Sequence, residues 1–337
     1  MSNSTDYMTS QFLRTRIRRS WRASGLIEGR SGRPGLSITE IVRLSRKRNR
    51  SIKIEPLELW LIIYDEYLSW YVSFFTVIQQ GLHIAKADTF ERDLLRCFLA
   101  VTSKVISDLF AIRHLCVEGF DVATKTLLRS TIEYIDILSI VAIEPSICRE
   151  FVDIESNEES NAFWNKYLRG GKKRNRARHI MRKAWVELGV FEDYQMAVDF
   201  DKWLYEESDV LAMSSHPSFL GGSFSSIVLG SKIEDNWPGV FGSKGEISAQ
   251  TLHVAVKHTV KFLFLSGDIP FRDSEKEVVL MEYQETDQLH RHTKIGRSWL
   301  ISFYVAVIAD PRGKPIFFPE IDVSDIWPDL KDGQSSD

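Results

Sequence analysis

"KTLLRSTIEYIDIL", Lys125 to Leu138, sets two bases and two acids into an otherwise apolar stretch. At about 100° per residue, Lys125, Arg129, Glu133 and Asp136 fall inside a strip roughly 80° wide. Leu127, Leu128, Ile132, Ile135 and Leu138 cover most of the remaining circumference, and Ile140 and Ile143 continue the strip as apolar. A helix with so wide an apolar surface must be packed on most of its sides, which predicts a central helix of an all-α bundle. Two readings of the strip follow. It lines a crevice in which a Glu133–Arg129 pair at four spacing is satisfied, or it is a solvated stripe with ordinary surface ion pairs.

The neighbouring segments agree with a bundle. Pro56 suits the first turn of a helix over 56–80. Trp60, Ile63, Tyr64, Tyr67, Tyr71 and Phe74 recur there at helical spacing, as a core stripe does. A second helix reads over 89–115, with Leu94, Phe98, Val101, Val105, Leu109 and Ile112 on one side. Gly119 interrupts, and a third helix runs over 121–143 until Pro145. Such short connections favour antiparallel neighbours. Further helices are expected over 177–188, 193–213 and 247–265. "SSHPSFLGGSFSS" must be irregular, because Pro217 blocks helix continuation and the glycines loosen the chain. Residues 230–246 read as turns with a small hairpin. "WLISFYVAVIA", from Trp299, is too short an apolar run to separate helix from strand. The end from Asp322 is polar and acidic, and no internal repeat is visible. The organisation expected is a basic arm and short helix over 1–53, a helical bundle core over 54–268 and a C-terminal extension over 269–337. The whole is a single large helical bundle.

Net charge is −3, but it is unevenly spread. Residues 1–53 carry 13 Lys+Arg against 3 acids, a net +10, and the remaining 284 carry −13. A basic arm on an acidic body is the charge pattern of a nucleic-acid or acidic-partner contact; it is equally the pattern of an arm folded on its own body. "SITE" at 37–40 has the form of a capping box, so a short basic helix should follow with Arg43, Lys47 and Arg50 on one face. Arg14, Arg16, Arg18 and Arg19 precede it and complete the candidate nucleic-acid-binding set. Trp21 reads as an anchor of the arm.

No apolar run is long enough for a bilayer, and the polar, arginine-rich start is no secretory signal. Three cysteines without a CxxC pair form no closed disulfide framework and read as reduced thiols of a cytoplasmic protein. The 44% apolar and 26% charged fractions exclude wholesale disorder. "GGKK" at 170–173 lacks the upstream Gly and the following Ser/Thr of a phosphate-binding loop. "HRH" at 290–292 and the His253/His258 pair lack the partners of a metal site, so none is expected, nor any cofactor.

"AIRHLCVEGFDVATKTLLRSTIEY" with the later "SSHPS" resembles an uncharacterised bacterial all-helical family, a domain of unknown function. Arg113, Glu118, Gly119, Leu128, Arg129, Ser130, Glu133 and His216 carry the resemblance, which spans about 90–265. It implies that Arg129, Glu133 and His216 meet in one polar site, but brings no established reaction. His216 precedes Pro217, which pushes it to extended backbone at a helix end. An imidazole there can act as acid or base while a guanidinium steadies a phosphate. A helix-terminal cap is the plainer alternative.

"RNRARH", 174–179, is similar to the R-x(4–6)-H motif of HEPN helical bundles. That similarity implies Arg174, Asn175 and His179 as an alternative catalytic set, the Arg and His flanking a scissile phosphate across a homodimer interface. In so basic a segment the pattern also reads as a solvated or RNA-binding loop. The function expected is an RNA-targeting effector, a metal-independent RNase of a toxin–antitoxin or antiviral phage-defence system. The alternatives are a non-catalytic helical module docking a partner protein, an antitoxin or nucleic acid, and an enzyme acting on a small phosphorylated ligand.

Overall fold

The computed structural model describes residues 55–169, short stretches between 178 and 187, and 191–205, 245–267, 269–271 and 281–304. All lie in the compact unit Ile52–Asp337. Their helices are α1 (Glu55–Ile84), α2 (Phe90–Glu118), α3 (Asp121–Ile143), α4 (Ile147–Val152), α5 (Asn157–Tyr167), α6 (Tyr194–Tyr205) and α7 (Gly245–Ser266). The four-residue α8 (Gln288–Arg291) and α9 (Arg297–Phe303) follow, joined by a π-helical turn, His292–Gly296. No β-strand occurs among the described residues, and one isolated bridge pairs Phe271 with Met281. The fold is all-α, as the periodicity predicts. None of the described helices is long and apolar enough to cross a membrane.

Local chemistry explains the breaks. Thr89 caps α2, its side chain accepting from the Arg92 amide at 3.3 Å. Gly119 closes α2 in the left-handed region at φ 80°, where a side chain would be strained. Its amide and that of Phe120 donate to the carbonyls of Cys116 and Leu115, so α3 can start one residue later. Ser156 and Glu159 form a reciprocal capping box at the start of α5.

The α1 stripe is core, and its polar tips tie three other segments together. Tyr64 donates to Leu109 O at 2.8 Å, Tyr67 to Leu300 O at 3.0 Å, Trp70 Nε1 to Thr293 O at 3.0 Å and Tyr71 to Thr259 O at 3.1 Å. Burial pushes the phenols of all three tyrosines well up. Trp70, Tyr71, Phe74 and Phe98 pack around Phe262 with ring centroids 5.1–6.2 Å apart. Burying each side chain of this size stabilises the fold by roughly 1.5–3 kcal/mol.

The same contacts give the helix directions. Tyr64–Leu109 and Phe74–Phe98 make α1 and α2 antiparallel, and the short turn at Gly119 makes α3 antiparallel to α2. Along α7, His253 meets Trp60 while Phe262 meets Phe74, so α7 runs parallel to α1. Cys116–Ser248 and Phe98–Phe262 set it antiparallel to α2, hence parallel to α3. Every residue of α7 from Thr251 to Phe264 is buried, which makes α7 the axial helix of the bundle.

The expected spans 56–80, 89–115 and 247–265 extend by a few residues, and 121–143 is as predicted. The helix expected over 193–213 is α6 in its described part; the hairpin of 230–246 lies outside the described residues until Gly245. Residues 299–303 of "WLISFYVAVIA" are helical, and Leu300 and Tyr304 enter the common core. A second aromatic group, Trp185, Phe191, Phe264 and Tyr304, packs around Phe200. The three cysteines are buried and form no disulfide. Burial raises the Cys97 thiol and pushes that of Cys148 up to about 11.

Candidate functional site: a polar seam between α3 and α7

The strip on α3 is graded. Lys125, Arg129 and Glu133 are half-buried, whereas Asp136 is buried and ion-paired with Lys261 of α7. Their side chains are 3% and 5% exposed, so both charges have left water almost completely. That loss costs several kcal/mol per ion, and the pairing offsets it only because the two groups meet directly. Lys261 heads a row on α7. Lys257 and His253 precede it at steps of four, both buried, and His253 lies against Trp60 with ring centroids 4.7 Å apart. Burial, followed by the nearby Lys257 charge, pushes the His253 pKa down to about 3, so the ring is neutral at physiological pH. His258 is buried on the same helix.

Glu133 accepts from Trp164 Nε1 of α5 at 3.4 Å. The ion pairs among the described residues do not include one between Arg129 and Glu133. Four residues turn a helix by about 40°, and that rotation brings Glu133 to α5. Across α3's other border, Thr131 donates to the buried Asp108 carboxylate at 3.3 Å, which also receives Lys104 at 2.5 Å. The Lys104 ammonium sits 5.5 Å from the Tyr134 ring centre. Neither reading of the strip holds along its whole length: its N-terminal half borders solvent and its C-terminal end is interior.

The other candidate residues fall as follows. Arg113 makes a forked pair with Asp65 of α1, at 2.6 and 2.7 Å. Gly119 is the α2 cap, and Leu128 is core. His179 is exposed, its Nδ1 2.7 Å from the Tyr194 hydroxyl. Beside it Arg178 and Arg182 converge on the fully buried Asp201 carboxylate, Arg178 Nε at 2.9 Å from one oxygen. Part of the basic run around "RNRARH" therefore anchors α6. Arg174, Asn175 and His216 lie outside the described residues. So do all seven basic residues assigned to the arm, Arg14, Arg16, Arg18, Arg19, Arg43, Lys47 and Arg50.

Sequence reasoning missed Lys257 and Lys261. The signal was present in "HVAVKHTVK", where one charged or titratable residue recurs every four in an apolar helix. It also missed a Ser–His contact, Ser73 Oγ to His292 Nδ1 at 2.8 Å, made between α1 and the π-helical turn. No group of three or more His, Cys, Asp or Glu among the described residues could hold a metal ion. No protein-family model, curated protein or solved structure matches the chain.

Proposed function

We propose that the protein is an RNA-targeting effector, a metal-independent RNase of the toxin or phage-defence kind, working at the α3 face. The observation that supports this most is the graded strip. Arg129 stands at its half-buried part, on the same helix face as Asp136 two turns away, whose charge is held by Lys261. A bundle selected for stability alone gains little from such a pair, since apolar groups of the same volume serve as well. In this reading Arg129 grips a phosphate through its planar fork, Glu133 exchanges its Trp164 contact for Arg129 to orient it when RNA binds, and His216 moves protons. The +10 arm supplies affinity that is independent of base sequence and falls steeply with salt.

The test is retention and cleavage of single-stranded RNA by the full chain at about 50 and 200 mM salt. Wild type should retain RNA and cleave it in the presence of a chelator. His216→Ala should retain RNA without cleaving it, and Arg129→Gln should lose most cleavage. Neutralising the arm arginines should flatten the salt dependence. Absence of both retention and cleavage at the lower salt would sink the reading.

A second reading, a non-catalytic interaction module, is favoured by the apolar side chains that α1 and α2 present to solvent, Ile84, Ile62 and Phe110 foremost. It predicts no cleavage and no loss in cells from His216→Ala.

A further inference from the structure

The outer face of α1 and α2 carries a forked ion pair ringed by exposed apolar groups. Asp65 and Arg113 bridge the two helices and are each about two-fifths exposed. On α1, Ile62 lies one turn before Asp65 and Val72 two turns after it. On α2, Phe110 and Val117 flank Arg113 at three and four residues. Ile62 is 60% and Phe110 53% exposed, and both valines are exposed as well. Residues three, four and seven apart share a helix face, so these six side chains form one continuous surface. The register set by Tyr64–Leu109 and Phe74–Phe98 puts Ile62 and Phe110 level with each other, with Val117 towards one end of the face and Val72 towards the other.

We propose that this face is the contact between two copies of the chain, related by a two-fold axis running along the helices. Charge selects the axis. A two-fold axis across the helices at the level of the ion pair would bring Asp65 towards the partner's Asp65 and Arg113 towards the partner's Arg113. An axis along them lays α1 on the partner's α2, antiparallel and level. Asp65 then meets the partner's Arg113, and Ile62 meets the partner's Phe110, its level counterpart in the α1–α2 register. Apolar groups pair with apolar groups, and the two ion pairs merge into an alternating four-charge cluster. A surface carrying both signs about an apolar ring is self-complementary, the property an isologous contact needs. A patch meant for a basic or an acidic partner would carry one sign. Size agrees: helices of 30 and 29 residues present roughly 45 by 20 Å, or ~900 Å², and a stable interface takes about 800 Å² per partner.

The experiment is light scattering on the full-length chain at tens of micromolar. Wild type should have twice the 38.9 kDa chain mass. D65R and R113D should each be monomeric with unchanged helical circular dichroism, and an equimolar mixture of the two should recover the dimer mass. Ile62→Ser, which leaves the charges alone, should weaken association at least tenfold. A monomeric wild type overturns the proposal, even one that binds another protein through this face. So do charge variants that stay dimeric, or a mixture that fails to reassociate.

Discussion

Two acid–base pairs, chemically alike, do opposite things in this molecule. Asp136–Lys261 is interior, joins helices 125 residues apart in sequence and holds α3 parallel to the axial helix. Asp65–Arg113 is half exposed and bridges adjacent helices already held by the Tyr64–Leu109 hydrogen bond and the aromatic cluster. Water solvates the second pair whether or not it forms, so its strength to the fold is small. The first has almost no water to fall back on, so removing one member leaves the other's charge in the interior. What a charge contributes is set by the surface it loses, not by its sign or spacing.

The sharpest way to break that contrast is Lys261→Met alone. It strands the Asp136 carboxylate in the core and should cost about 3–5 kcal/mol in urea unfolding. Asp136→Leu/Lys261→Met together should return to within about 1 kcal/mol of wild type or exceed it. A double variant as unstable as the single would show that the pair stabilises beyond its mutual compensation.

His253, two turns before Lys261 on α7, makes stability depend on pH. His253 is neutral in the folded state with a pKa of about 3, against an unfolded value near 6.5. Below the unfolded value the unfolded chain takes up a proton that the folded chain refuses. The contribution is therefore complete above about pH 6.5 and is lost as pH falls towards 3. Urea midpoints should decline over that window, and His253→Phe should make the decline shallower. An identical slope in both proteins would refute the buried neutral ring.

Gly296→Ala tests the C-terminal strap that lies on α1. A Cβ there would stand 2.7 Å from His292 Cδ2, and that ring is held by Ser73. Overpacking of this kind should cost about 1–3 kcal/mol. The smallest effect expected is Asp65→Asn in dilute protein, below about 1 kcal/mol. A loss as large as that of Lys261→Met would abolish the distinction between the two pairs.

Much of the fold was legible. The Trp60–Phe74 stripe, the Gly119 break and the 121–143 helix follow from periodicity and from residues with one comfortable backbone state. The candidate site was legible only in part. "KTLLRSTIEYIDIL" shows a charged strip, but Glu133 goes to Trp164 and Asp136 to Lys261, partners 31 and 125 residues away. "RNRARH" reads as a motif, while its own Arg178 is committed to Asp201.

By itself, then, the sequence determined which segments are helical, how wide an apolar surface each must bury, and where the chain can turn. Those properties arise from angles and propensities within a few residues. Tertiary structure alone decided which charges lie inside, that "HVAVKHTVK" is the axial helix, and that Asp65 rather than Asp136 stayed near water. Burial and ion pairing depend on which distant surface arrives, and no local spacing encodes that.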